Sequence, residues 1–140
     1  VEYVACATPD LVRTCGMPQT LEQFKDLPLI TSELTGQKLH AAGRPGPASR
    51  QLDIRPRLMS ANFFFLRDAI LQGLGVGLVP HYMVDQDLAT GALLRLPLPA
   101  EDLSFLRTTM YLLYMPARYQ TRAVVTLIAF LQDRAARRGT

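Results

Sequence analysis

The sequence predicts an α/β fold built on a mostly parallel sheet, and three observations carry that prediction. Strand-like and helix-like stretches alternate along the chain, the order that a parallel sheet with crossover helices requires. Residues 58–80, LMSANFFFLRDAILQGLGVGLVP, read as a strand end, a capped helix, a glycine turn and a second buried strand. Towards the C-terminus, residues 108–114 (TTMYLLY) have the strongest strand composition and residues 121–138 the longest helical pattern.

In chain order, residues 3–7 form a short apolar strand, ended by Thr8 and by Pro9 at a first helical position. About two helical turns follow to Cys15, stopped by Gly16. Thr20 is a suitable N-cap for residues 21–26, where Leu21, Phe24 and Leu27 share a face, and residues 28–31 form a second strand. From Glu33 to Arg50 the composition shifts to Gly, Pro, Ser and charge, with Gly43, Pro45, Gly46 and Pro47 in one group. That density suits a loop or an irregular hairpin tip. Residues 51–59 alternate again, and Pro56 in their middle demotes them to an edge strand or one with a bulge. In the next helix Leu66, Ala69, Ile70 and Gly73 lie on the core side; Gly73, Gly75 and Gly77 interrupt it, and Val76, Leu78 and Val79 make the buried strand that Pro80 stops. Residues 82–88 are helical up to Gly91, residues 92–96 form a strand, and residues 101–107 are a polar connection. Val124, Leu127, Ile128 and Leu131 make the stripe of the last helix.

With 140 residues and 49% hydrophobic content, the chain supports one ordinary core and is short for two complete domains. Lys and Arg total 15 against 12 acidic residues, a formal charge of +3. Arg134, Arg137 and Arg138 gather near the end, where a helix C-terminus favours cations, so a solvated helix end is preferred over a nucleic-acid patch. No His or second Cys stands at metal-ligand spacing from Cys6 or Cys15. Neither a metal site, a cofactor nor a disulfide framework is indicated, and the two cysteines read as reduced structural thiols of a cytoplasmic protein. No signal peptide opens the chain and no apolar run reaches the roughly 18 residues of a membrane span, so no membrane partner is expected. The opening Val-Glu-Tyr-Val-Ala-Cys-Ala, without Met, looks like a strand already under way and suggests a fragment.

The glycine cluster at 73–77 follows a helix and precedes a strand. A dinucleotide site needs the reverse order, because the pyrophosphate rests on a helix N-terminus, and no Lys-Ser or Lys-Thr pair follows for a P-loop. The helix start is the better candidate. Ser60, Ala61, Asn62 and Phe63 combine free N–H groups, the positive end of the dipole, a hydroxyl and an amide, a set suited to a carboxylate or similar small anion; plain N-capping uses the same groups. Phe63, Phe64 and Phe65 are about 100° apart around a helix, so at least one ring faces a cleft, a partner or solvent. Thr8, at a strand end, offers a hydroxyl to the same cleft if its strand lies near the sheet centre, or a local turn hydrogen bond otherwise. His40 and His81 have no nucleophile or carboxylate in a catalytic arrangement, so no enzyme is expected. Glu22, Asp26, Asp85 and Asp87 read as solvated helix-face charges.

Several of these pieces, taken in order, resemble a known family. They are Val4-Ala5-Cys6-Ala7-Thr8-Pro9-Asp10-Leu11, Gly16-Met17-Pro18 with Thr20-Leu21-Glu22-Gln23-Phe24, Ser60-Ala61-Asn62, the run from Ala69 to Pro80, and Asp87-Leu88-Ala89-Thr90-Gly91-Ala92-Leu93. Together they look like the effector-binding region of LysR-type transcriptional regulators over nearly the whole chain. The resemblance implies a type II periplasmic-binding-protein-like fold of two α/β lobes with a small-molecule effector between them. Residues 1–106 are then the second lobe, and residues 107–140 the return strand and terminal helix of an incomplete first lobe. It also implies effector contacts from Thr8, Ser60, Ala61, Asn62 and Phe63, a dimer or tetramer, and DNA contact only through an N-terminal winged helix-turn-helix outside this chain. Thr8 stands where the family usually has Ser, a change that keeps the hydroxyl, and Phe63 to Phe65 stand where small or polar residues are common, which points to a more apolar pocket or contact. A lobe of a solute-binding transport protein is the competing reading.

Overall fold

The computed structural model describes residues 1–33, 38–41, 50–98, 109–116 and 121–138. They fall into two compact units, Val1–Thr109 and Met110–Thr140.

The first unit opens with β1 (Tyr3–Ala7), buried at every position. Thr8 caps α1 (Pro9–Cys15), its Oγ1 accepting from the Leu11 N–H at 3.4 Å. Pro9 sits in the first turn, where a missing N–H costs no helical hydrogen bond. Thr20 caps α2 (Leu21–Lys25) by accepting from the Gln23 N–H at 3.3 Å, while the Gln23 side chain accepts from the Gln19 N–H at 2.8 Å. These reciprocal bonds satisfy two donors around the helix start. β2 (Leu29–Ser32) is again fully buried.

β3 (Lys38–Ala41) and β4 (Arg50–Asp53) pair antiparallel in a small separate sheet. Of the two alternatives expected for residues 33–50, a loop or an irregular hairpin tip, the antiparallel pair fits the hairpin, while the Gly/Pro group at 43–47 lies outside the described residues. The single strand expected over 51–59 is two strands in two sheets, β4 and β5 (Leu58–Ser60), split around Pro56. Proline has no N–H for a ladder, and the chain changes sheet where one is missing.

α3 (Phe63–Leu71) buries Leu66, Ala69 and Ile70. Gly73, at φ +72°, ends the helix in a conformation that only glycine adopts readily. β6 (Val76–Pro80) follows, fully buried, and a Cβ on Gly77 would collide with the Ile70 side chain of α3. These glycines thus close a helix and let it approach the sheet. α4 (His81–Ala89) leaves directly from Pro80, and β7 (Leu94–Arg95) is shorter than the strand expected over 92–96.

Among the described residues the main sheet has the order β5-β2-β6-β1-β7. β2 is parallel to β5 and β6, whereas β1 is antiparallel to β6 and β7. Four strands therefore point one way and β1 against them, a mostly parallel sheet. Its alternating side chains feed two cores. Tyr3, Ala5, Leu29 and Leu78 pack with Leu21 and Phe24 of α2 on one face. Val4, Cys6, Ile30 and Val79 pack with Leu66 and Ile70 of α3 and Val84 of α4 on the other.

At the start of the second unit, residues 110–116 form neither helix nor strand, although the sequence predicts its strongest strand at 108–114. β-propensity becomes a strand only where a neighbour supplies ladder partners, and no strand pairs with this segment among the described residues. α5 (Arg122–Arg138) runs for 17 residues, with Thr121 accepting from the Val124 N–H at 3.4 Å.

Candidate functional site

β5, β2 and β6 end at the same edge of the sheet, at Ser60, Ser32 and Pro80, with Ser32 paired to Ser60 in register. α3 and α4 both start from this edge. Parallel strands followed by helices leave a row of strand ends and helix N-termini along one rim, where α/β folds hold ligands.

Ser60 Oγ accepts from the Asn62 N–H at 3.1 Å, and Asn62 Oδ1 accepts from the Phe64 and Phe65 N–H groups at 3.0 and 3.3 Å. The capping use of these residues is thus realised. It leaves the chemistry of a ligand contact in place: Ser60 retains its hydroxyl proton, and the Asn62 amide retains its two N–H donors. Ser60 is half-buried, while Ala61 and Asn62 are exposed. Phe63 is half-buried against the α3 core, and Phe64 and Phe65 are 72% and 50% exposed. Two of the three rings thus face outwards at the first turn of α3.

The same rim holds residues that the linear sequence does not bring together. Tyr3 is paired with Pro80, the last residue of β6, and its hydroxyl is hydrogen-bonded to the Ser32 side chain. Burial pushes the Tyr3 phenol up, partly opposed by that Ser32 bond and reinforced by Tyr82, so the group is neutral at physiological pH. The available signal was positional: Tyr3 and Ser32 are the polar residues at the ends of apolar strands.

Thr8 lies elsewhere. Because β1 runs against β6, its last residues pair with the start of β6, Cys6 with Gly77. Thr8 Oγ1 is 3.5 Å from where a Cβ on Gly73 would stand, beyond the C-terminus of α3. A shallow cavity of about 350 Å³ there is lined by Thr8, Asp10, Leu11, Thr14, Leu71, Gln72 and Gly73. The 9 residues of α3, about 1.5 Å each along the axis, separate this place from Asn62. The structure therefore groups Ser60, Ala61, Asn62 and Phe63 and leaves Thr8 apart.

Asp87 is not a solvated charge. It is 7% exposed, and the Arg67 fork donates to it twice, Nε to Oδ2 and Nη2 to Oδ1, each at 2.7 Å. This bidentate geometry is the strong form of the carboxylate–guanidinium contact, and here it ties α3 to α4. Burial, with the Asp87 charge adding to it, pushes the Cys6 thiol up to about 12. Cys6 is therefore a protonated, inert thiol. His81 stands 4.0 Å from Asp85 on an exposed face. Among the described residues no cluster of three or more His, Cys, Asp or Glu side chains is placed to hold a metal ion, and no helix is long and apolar enough to cross a membrane.

The model of the LysR substrate binding domain family matches residues 1–136. Among solved structures, the regulatory domain of AphB from Vibrio vulnificus treated with cumene hydroperoxide is 25% identical, with a TM-score of 0.58, covering 69% of this chain and 48% of that one. Full-length AphB of Vibrio cholerae, a virulence activator, is 22% identical with a TM-score of 0.59, covering 69% of this chain and 33% of that one. The regulatory domain of CrgA from Neisseria meningitidis is 22% identical with a TM-score of 0.56, covering 73% and 49%. The last two likenesses concern the fold. This chain spans about half the length of the regulatory domains it matches, and no curated protein sequence matches it. The fold is the type II periplasmic-binding-protein-like α/β fold of LysR regulatory domains, and the family match disfavours a transport-protein lobe. The family is one of transcriptional regulators rather than an enzyme class. With its mostly parallel sheet and a family match over residues 1–136, this chain belongs to the LysR substrate-binding domains.

Proposed function

We propose that this chain is the effector-sensing part of a cytoplasmic LysR-type transcriptional regulator without catalytic activity. It binds a small anionic metabolite and controls DNA binding by a winged helix-turn-helix that lies outside these residues. The observation that carries the reading is the family match over residues 1–136; the rim of strand ends and helix starts supports the choice of site. In this reading residues 1–106 are the second lobe and residues 107–140 belong to the first, with residues 109–116, which form no strand, as its return segment and α5 as its terminal helix. Ser60, Ala61, Asn62 and Phe63 contact the effector, with the positive end of the α3 dipole favouring a carboxylate and the exposed Phe64 and Phe65 rings favouring an aromatic body. Occupancy shifts the population between two lobe arrangements of a dimer or tetramer, which changes its fit to DNA.

The test is a thermal-shift screen of small carboxylates, aromatic acids included, on the full-length regulator. A ligand at one hundred times its Kd stabilises by about 2.7 kcal/mol, a readily measured shift. Ser60→Ala and Asn62→Ala are expected to weaken binding at least several-fold. A ligand whose affinity survives both substitutions binds elsewhere. Sequence-selective retardation of DNA by residues 1–140 alone would contradict the assignment of DNA contact to another segment.

A further inference from the structure

We draw no further inference here: the strongest candidate, the exposed apolar stripe of α5 formed by Val124, Leu127, Phe130 and Leu131, is an unpartnered helix face, and nothing in the structure shows what covers it.

Discussion

Helices α3 and α5 each carry an apolar stripe at helical spacing, yet Leu66 and Ile70 of α3 are fully buried while Leu127 and Phe130 of α5 are each 55% exposed. α3 is bracketed in sequence by β5 and β6, and short connections bring it back onto the sheet those strands build. α5 is preceded by residues 109–116, which form no strand. An amphipathic pattern thus selects which face of a helix is apolar. Whether that face is covered depends on a sheet assembled by other residues.

The largest expected effect in this contrast is in side-chain truncation. Ile70→Ala should cost about 2–5 kcal/mol, because it removes transfer energy and leaves a cavity under the sheet. Leu127→Ala in α5 should stay within about 0.5 kcal/mol. Urea unfolding of residues 1–140 measures both, and similar losses would mean that the α5 stripe is buried in solution.

Ion pairs extend the comparison. Arg67→Met leaves Asp87 buried without its fork, and a loss of about 2–3 kcal/mol is expected, below that of a fully buried pair because the Arg67 side chain is 33% exposed. On α5, Arg137 and Asp133 are 2.9 Å apart with side chains 77% and 61% exposed. Arg137→Ala should therefore change stability by at most a few tenths of a kcal/mol. Equal effects at the two sites would show that the α3–α4 clamp is as solvated as the α5 pair.

Cysteines provide a pH-dependent version. The Cys6 thiol is raised from 9.0 to about 12, so the unfolded chain loses this proton first and binds fewer protons than the folded one between those values. Stability attributable to Cys6 is intact below about pH 9 and falls as pH rises towards 12, by up to about 1.4 kcal/mol per unit. Cys6→Ala should flatten that slope. With a thiol reagent near neutral pH, exposed Cys15 should react at once and Cys6 only after unfolding. Rapid labelling of both would contradict the buried position of Cys6.

The last comparison concerns a hydroxyl. Thr31 Oγ1 is buried with no hydrogen-bond partner among the described residues, whereas Thr126 Oγ1 on α5 donates to the Arg122 carbonyl at 3.0 Å. Thr31→Val replaces an unsatisfied polar atom by a methyl and should raise stability by about 1 kcal/mol. A loss in the denaturation midpoint would show that this hydroxyl is satisfied in solution.

The features legible in the sequence were those decided within a few residues. Thr8, Thr20 and Asn62 cap their helices through atoms two or three positions away, and Gly73 ends α3 by its own backbone freedom. Ser60 to Phe63 could be nominated as a site because they are consecutive. The partnership of Tyr3 with Ser32 was hidden in separate strands. Asp87 looked solvated because its position on α4 says nothing about Arg67, which is 20 residues away on another helix.

By itself, the sequence determined the helix starts and stops, the apolar faces and the buried character of β6, since short-range sterics, capping bonds and periodicity act along the chain. Tertiary structure decided the rest. The reversed direction of β1 carried Thr8 to the far end of α3, Pro56 divided one apparent strand between two sheets, and the described part of the segment with the strongest strand composition, residues 109–114, formed no strand. Each of these depends on which backbone lies alongside. Hydrogen-bond ladders and burial are relations between distant segments, and their partners are chosen only when the sheet assembles.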